Sequence, residues 1–445
     1  MFKKIVYFTL LGPLFGQEPL SLPDAVRVAL DHNHSVAAAE EEGQAAAARV
    51  KQATSGWLPR LNYAETWTRS DNPVFVFSSL LTQHQFMAQN FAIGALNQPN
   101  PLDNFQSQLN LDQTIYDAGQ VRSATRSARL MENVSGEDKR RTEQDVIAGV
   151  VREYYAVVLS GENLAAAKDA VRSAEADLKR AEAVRASGMS TDVDVLSIRV
   201  HLAAVTEQQI RRSADLDVAR AALNDVLGRP LDTMYSLTTP LTQVDLGDVA
   251  LEQYEREALD KRPEAREARL ATQLAETQAA AARSRLLPQV GVHADVEQAR
   301  QRFAGRSGGN WTASVSLRWN LFNGFGDKAH LDETQHLLRR SHAEENRAGS
   351  AIRLEVRRAW SDLRAANQRI EVARAAVQDA QESLRITQNR YAAGLNNVTD
   401  LLRSETAVLE AKTRYLAAVN DQRVAAAVLE KAAGTLSVDS EVLNR

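Results

Sequence analysis

His32 and His34 are the most closely spaced histidines in the chain, and they sit two apart in a helical pattern. Residues two apart face different sides of a helix, so these two cannot share a metal as an i, i+4 pair could. The other histidines are scattered, and no Ser-His-Asp arrangement can be argued from spacing. Glu40, Glu41 and Glu42 read as a solvated helix face, not an acid/base site. Gly305, Gly308 and Gly309 lack the Gly-x-x-x-x-Gly-Lys pattern of a phosphate cradle and read as a turn, so any ATP hydrolysis belongs to a partner. The chain has no Cys, which excludes disulfides, thiol catalysis, thiolate metal sites and an N-terminal lipid-modified Cys. No enzyme, cofactor or metal site is expected. Three aspartates remain: Asp192 and Asp194 follow Gly188, and Asp400 follows Gly394 at the same spacing as Asp194. One reading is that they cap the N-termini of helices returning from tight turns.

Those glycine turns belong to a repeat. Gly188 to Leu196 matches Gly394 to Leu402, 206 positions on, and the same offset pairs Phe105 with Trp311, Tyr116 with Phe322, Tyr154 with Trp360 and Gly228 with Gly434. Upstream the offset is 229, pairing Ala29-Leu30-Asp31 with Ala258-Leu259-Asp260 and Pro59 with Pro288. One unit of roughly 200 residues occurs twice, which points to a pseudo-symmetric object rather than unrelated domains. The first copy carries an insert of 23 residues between Pro59 and Phe105.

Residues 1–16 resemble a secretory leader, with Lys3-Lys4 before an apolar run from Ile5 to Phe15. No later stretch reaches the ~18 apolar residues of a membrane helix. The net charge of −4 gives no reason to expect nucleic acid.

Each copy reads as helix, strand hairpin, long helix, tight turn, long helix. Repeat 1 is expected over 17–232, with a helix over 22–57, strands over 60–70 and 105–115, an outer loop over 71–104 and a helical hairpin over 119–228. A linker, the equatorial segment, follows at 233–250. Repeat 2 is expected over 251–445, with a helix over 251–286, strands over 288–298 and 311–321, and a helical hairpin over 325–434. The strand assignment rests on period-2 alternation. Val290, Val292, Ala294 and Val296 alternate with polar residues, as do Trp311, Ala313, Val315, Leu317 and Trp319. Runs of about ten residues suit tilted transmembrane strands. Trp67, Trp311 and Trp319 fall near strand ends, where membrane-interface aromatics belong. The helical arms lack proline, and ~68 residues at 1.5 Å each span about 100 Å. Their seams alternate 3 and 4, as in Leu164, Ala167, Val171, Ala174, Leu178 and Ala181, the pattern of coiled-coil packing.

Four strands cannot close a barrel, and lipid forbids an open sheet edge, so several copies must assemble. Pattern alone does not fix the number.

The two helical hairpins with their glycine turns, the post-strand turns (Ile115 to Gly119, Leu321 to Gly324) and the Leu-Pro strand starts together resemble the TolC family of outer-membrane efflux channels, across essentially the whole mature chain. The fold class implied is mainly α with a membrane β-barrel part: a homotrimeric twelve-stranded β-barrel in outer-membrane lipid, continuous with a periplasmic α-helical barrel. The function implied is the passive exit channel of a tripartite efflux or type I secretion system of a Gram-negative bacterium. Its partners would be a periplasmic adaptor and an inner-membrane transporter. The turns imply an adaptor-docking tip at Arg185, Gly188, Met189, Ser190, Gly394, Leu395 and Asn396. The periplasmic gate implied is Asp194, Tyr391, Asp400 and Arg403. The family pattern has an Asp where Arg403 stands and an Arg where Asn396 stands, which gives a mixed-charge Asp400–Arg403 ring and a weaker cation preference. The alternatives are a periplasmic adaptor or a structural coiled-coil surface protein. Neither accounts for duplicated ten-residue strands.

Overall fold

The computed structural model describes residues 18–187, 191–245, 247 and 250–444. The leader reading of residues 1–16 falls outside the described residues. In chain order the elements are β1 (Glu18–Leu20), α1 (Leu22–His32), α2 (His34–Thr54), β2 (Arg60–Ser70), α3 (Pro73–Thr82), α4 (Ile93–Asn97), β3 (Leu102–Tyr116), α5 (Gln120–Ala186), α6 (Asp192–Val226), β4 (Tyr235–Leu237), α7 (Leu251–Lys261), α8 (Pro263–Ser284), β5 (Gln289–Arg300), β6 (Ser307–Arg318), α9 (Gly326–Ala392), α10 (Val398–Ala432) and α11 (Glu441–Asn444). Two compact units result, and each draws on both sequence repeats. One holds the chain up to Glu41, Gly136–Glu267 and the chain from Asn346 onward; the other holds Glu42–Ser135 and Ala268–Glu345.

In the first unit, the single helices expected over 22–57 and 251–286 are each broken, at Asn33 and at Arg262. Asn33 leaves helical geometry because its side chain has better partners: Nδ2 donates to the Val226 carbonyl at 2.8 Å and Oδ1 accepts from Ser35 N at 2.8 Å. Arg262 precedes Pro263, whose ring disfavours helical geometry in the residue before it. Each break lies against the glycine that ends a return helix. Gly228, at φ +66°, is so close that a Cβ would sit 2.3 Å from the His32 carbonyl oxygen. Gly434, at φ +72°, would put one 2.7 Å from Arg262 Cα. Both glycines close hydrogen-bonded caps of the same type: Arg229 N to Asn224 O, and Thr435 N to Glu430 O, each 2.9 Å.

The equatorial segment is a clamped strap. β4 pairs in parallel with β1, and the Tyr154 hydroxyl donates to Leu20 O and accepts from Thr239 N, both at 2.9 Å. Arg423 is fully buried on α10. Its Nε donates to the Thr242 carbonyl at 2.5 Å, Nη2 to Thr242 Oγ1 at 2.9 Å, and its guanidinium lies 5.4 Å from the Tyr155 ring centroid. Gln422 bonds Val244 in both directions. The main core lies beneath, built from Leu22, Val26, Val150, Tyr154, Leu223 and their neighbours.

The second unit holds one antiparallel sheet in the order β2-β3-β5-β6. Its register aligns Tyr63, Leu109, Val296 and Trp311 in one row across all four strands, and Leu61, Leu111, Ala294 and Ala313 in another. The rows between hold Asn62, Asn110, Asp295 and Thr312, then Ala64, Gln108, Glu297 and Asn310. Successive side chains point to opposite faces, so the sheet has one dry and one wet face. One polar island interrupts the dry face: Glu65 accepts from Tyr63, Ser107 and Arg300. β6 starts at Ser307 and ends at Arg318, so the strand expected over 311–321 lies earlier than its alternation implied. Gly308 and Gly309 are in the strand, paired with Ala299 and Gln298, and not in the turn.

The stretch expected as an outer loop over 71–104 is partly helical. Asn72 caps α3, its Oδ1 accepting from Val74 N and Phe75 N, and Pro73 fills the first turn. Phe77, Phe86 and Phe91 stack edge to face at 4.9 and 5.0 Å. The insert docks on the wet face of the sheet. Buried Gln83 donates to Asn104 Oδ1 at 2.9 Å, and Asn310 Nδ2 donates to the Thr82 carbonyl at 3.1 Å. A Cβ on Gly308 would lie 2.0 Å from that carbonyl oxygen.

Candidate functional site

The site of interest is where the two helical hairpins, α5–α6 and α9–α10, reach their turns. Each hairpin pairs a 67-residue helix with a 35-residue return. The second turn closes on Gly394, at φ +72°, with Leu395 N bonded to Arg390 O at 2.8 Å and Gly394 N to Tyr391 O at 3.0 Å. Arg390 Nε also donates to Asn396 Oδ1 at 2.8 Å. Gly188, Met189 and Ser190 of the first turn lie outside the described residues.

An apolar knot joins the hairpins above these turns. Ala181, Val195, Ile198 and Val398 are buried together, with Leu178, Tyr391 and Leu402 packed around them. All four helices contribute. Tyr391 is thus half-buried against the first hairpin. Its phenol is held above the usual tyrosine range by burial first, then by the nearby Asp194 and Asp177 carboxylates.

The aspartates divide in role. Thr191 caps α6, and Asp194 completes the box by accepting from Thr191 N at 3.2 Å and from its Oγ1 at 2.9 Å. Asp192 pairs with Arg185, 3.1 Å away. On α10 the cap is Asn397, which accepts from Asp400 N at 2.8 Å. Asp400 is half-buried, and its carboxylate has no hydrogen bond or ion pair among the described residues. Asp194 thus takes part in the cap of α6, whereas Asp400 sits in the first turn of α10, where the helix N-terminus favours an acid, and leaves its carboxylate available. The structure packs Tyr391 into the knot with Val195 and Ile198 of the first hairpin. It forms no Asp400–Arg403 contact within the chain: Arg403 is exposed and lines a shallow groove with Val193, Leu196, Val200 and Leu402. Leu395 is also exposed.

One polar layer beside this knot escaped the sequence reading. Asp177 on α5 is buried and Glu405 on α10 is partly buried with its side chain almost wholly covered, Ser173 Oγ donating to Glu405 Oε1 at 3.1 Å and Arg180 Nη1 lying 3.2 Å from Asp177 Oδ1. Its signal was present: Glu405 occupies the slot three residues after Leu402 and four before Leu409, where a heptad seam calls for an apolar residue.

At the sheet, Trp67, Trp311 and Trp319 are exposed. Trp67 lies in the row of Phe105, Arg300 and Ser307, toward one end of the strands, and Trp319 lies past the other end, donating to the Leu286 carbonyl at 3.1 Å; Trp311, expected near a strand end, is inside the sheet in the row of Tyr63, Leu109 and Val296, because β6 begins at Ser307. Among the described residues no helix is long and apolar enough to cross a membrane.

Three comparisons bear on this arrangement. The outer membrane efflux protein family matches residues 25–229 and 255–435. The chain is similar to protein CyaE of Bordetella pertussis, at 28% identity over 331 residues, covering 72% of this chain and 69% of that protein. It is also similar to the pyoverdine export outer membrane protein OpmQ of Pseudomonas putida, at 24% identity over 423 residues, covering 93% and 85%. Among solved structures, the CmeC outer membrane channel of Campylobacter jejuni superposes with a TM-score of 0.79 at 16% identity, covering 99% of this chain and 95% of that one.

Proposed function

We propose that this chain, which belongs to the outer membrane efflux protein family, is the passive exit duct of a tripartite efflux or secretion system, gated at its helical hairpin turns. Three copies would close a twelve-stranded barrel in the outer membrane. A periplasmic adaptor would dock on the turns around Arg185, Gly394, Leu395 and Asn396, together with Gly188, Met189 and Ser190, and an inner-membrane transporter would drive cargo through.

The observation that supports this reading best is the sheet. It has four strands, two unpaired edges (β2 and β6) and a dry face of exposed Leu61, Tyr63, Trp67, Leu109, Val296, Trp311, Val315 and Leu317. A face of this kind suits lipid. The edges then need partners, because lipid leaves no water to satisfy their N–H and C=O groups. Further copies of the same sheet supply them without new sequence. Trp67 toward one strand end and Trp319 past the other would form the interface girdles, with Trp311 inside the apolar band between them. An adaptor or a surface coiled coil would have no use for this sheet.

At the turns, Tyr391, packed in the apolar knot against the first hairpin, would hold the second hairpin to the first. Asp400, whose carboxylate is available, and exposed Arg403 would face neighbouring copies or the passage. The test is native mass measurement of the purified protein in detergent, on wild type and on a variant with Lys at Leu109 and Val296. A trimer lost in the variant is expected. A monomer in the wild type would end the closed-barrel reading.

A further inference from the structure

The layer between α5 and α10 has an unbalanced charge. Asp177 is 7% exposed and Glu405 is 9% exposed at the side chain. The fixed cation at this pair is Arg180, bonded to Asp177 Oδ1. Asp177 Oδ2 is buried and has no hydrogen-bond partner. Glu405 Oε1 accepts from Ser173, and Glu405 Oε2 lies 3.6 Å from His201 Nε2 on α6. Burial holds His201 below the usual histidine range, so it is neutral near pH 7 and supplies no second positive charge. From α9 the neighbours are Leu384 and the neutral phenol of Tyr391. A cavity of about 320 Å³ adjoins Ser173, His201 and Glu405, with Asp169 and Lys412 also on its wall.

Two buried carboxylates facing one guanidinium are unstable, and an acceptor oxygen without a donor adds to the cost. One proton on Glu405 removes both defects: it neutralises the second charge and makes Glu405 a donor toward Asp177. We propose that Asp177 and Glu405 hold a single proton between them, and that this proton latches the second helical hairpin to the first. The proposal rests on the reading that these hairpins part when the channel opens. Release is a plain deprotonation: Glu405 gives its proton to hydroxide, water forms, and two anions remain against Arg180.

The direction of the pH response follows. Burial, then the neighbouring Asp177, push Glu405 up to about 8. In a released, solvated state the carboxyl would return to about 4.3. The proton-bound latch is therefore at full strength below the released-state value. It weakens about tenfold per pH unit as pH rises toward about 8, and nothing further is lost above that. Glu405→Gln keeps a donor for Asp177 without a titrating group, and Asp177→Asn removes the like charge from the other side. Both should be latched at every pH.

The chain has no native Cys, so spin labels can be placed at Glu175 on α5 and Ala407 on α10, both exposed, in full-length protein diluted with unlabelled chains. Pulsed dipolar spectroscopy at roughly pH 6 and roughly pH 10 brackets the titration. The expected result is a narrow distance distribution at the lower pH that lengthens and broadens at the higher one in wild type, and stays narrow at both in Glu405→Gln and Asp177→Asn. No change in wild type, or the same change in Glu405→Gln, overturns the latch. Conductance recorded over the same pH series separates the two readings. Distances that move while conductance does not would support the latch and refute gating at the hairpins.

Discussion

Alanine substitution at three glycines separates two costs that the fold combines. Gly228, Gly394 and Gly434 all have φ between +66° and +72°, where an L side chain costs about 1–2 kcal/mol. Their surroundings differ. A Cβ at Gly394 meets nothing within 4 Å, whereas one at Gly228 meets the His32 carbonyl oxygen at 2.3 Å and one at Gly434 meets Arg262 backbone atoms at 2.7 Å. These neighbours are backbone and cannot rotate away, so α1 or α7 would have to shift, adding about 1–3 kcal/mol of overpacking. Gly394→Ala is therefore expected to cost about 1–2 kcal/mol, and Gly228→Ala and Gly434→Ala about 2–5 kcal/mol. Urea unfolding of the detergent-solubilised protein, followed by circular dichroism, measures all three. Equal losses would refute the claim that helix breaks and return-helix glycines are packed together by necessity. A loss confined to Gly394→Ala would refute it more strongly.

Other perturbations read other parts of the molecule. Arg423→Leu removes two charge-assisted hydrogen bonds to the strap, about 3 kcal/mol in all, and should make the segment around Thr242 the first site of limited proteolysis; unchanged cleavage would contradict the clamp. Gly308→Ala should undock the insert from the wet face, exposing it to protease while the four-stranded sheet survives; an unchanged digest would count against that docking. Tyr391→Ala deletes a half-buried ring from the knot that joins the hairpins, worth about 2 kcal/mol by comparison with full core truncations, and should raise single-channel conductance; a conductance equal to wild type would remove Tyr391 from the gate.

The fold class was legible because two periodicities carry it. Alternation around Trp311 to Leu317 and the seam from Leu164 to Ala181 each report which face is apolar, and the duplication reports that the unit occurs twice. What was not legible depended on contacts distant in sequence. Asn33 breaks a helix because Val226 offers its side chain a carbonyl, and no local pattern reveals that. The break at Arg262 did have a local signal, the following proline. Gly308 and Gly309 look like a turn, yet glycine at 308 serves the close approach of Thr82. At the hairpin turns, glycines and aspartates marked the place, while their division of labour did not follow from type: Asn397 and Thr191 do the capping, leaving the Asp400 carboxylate available. Glu405 was hidden because a single acid in a long charged helix looks like a solvated face until the opposing helix places Ser173 and Asp177 against it.

The most direct test is single-channel recording of the purified protein in a planar bilayer. Stable insertions with small, long-lived conductance steps are expected, since the hairpins are held together by the Tyr391 knot. Protein that inserts or partitions into lipid yet never passes current would contradict the duct reading.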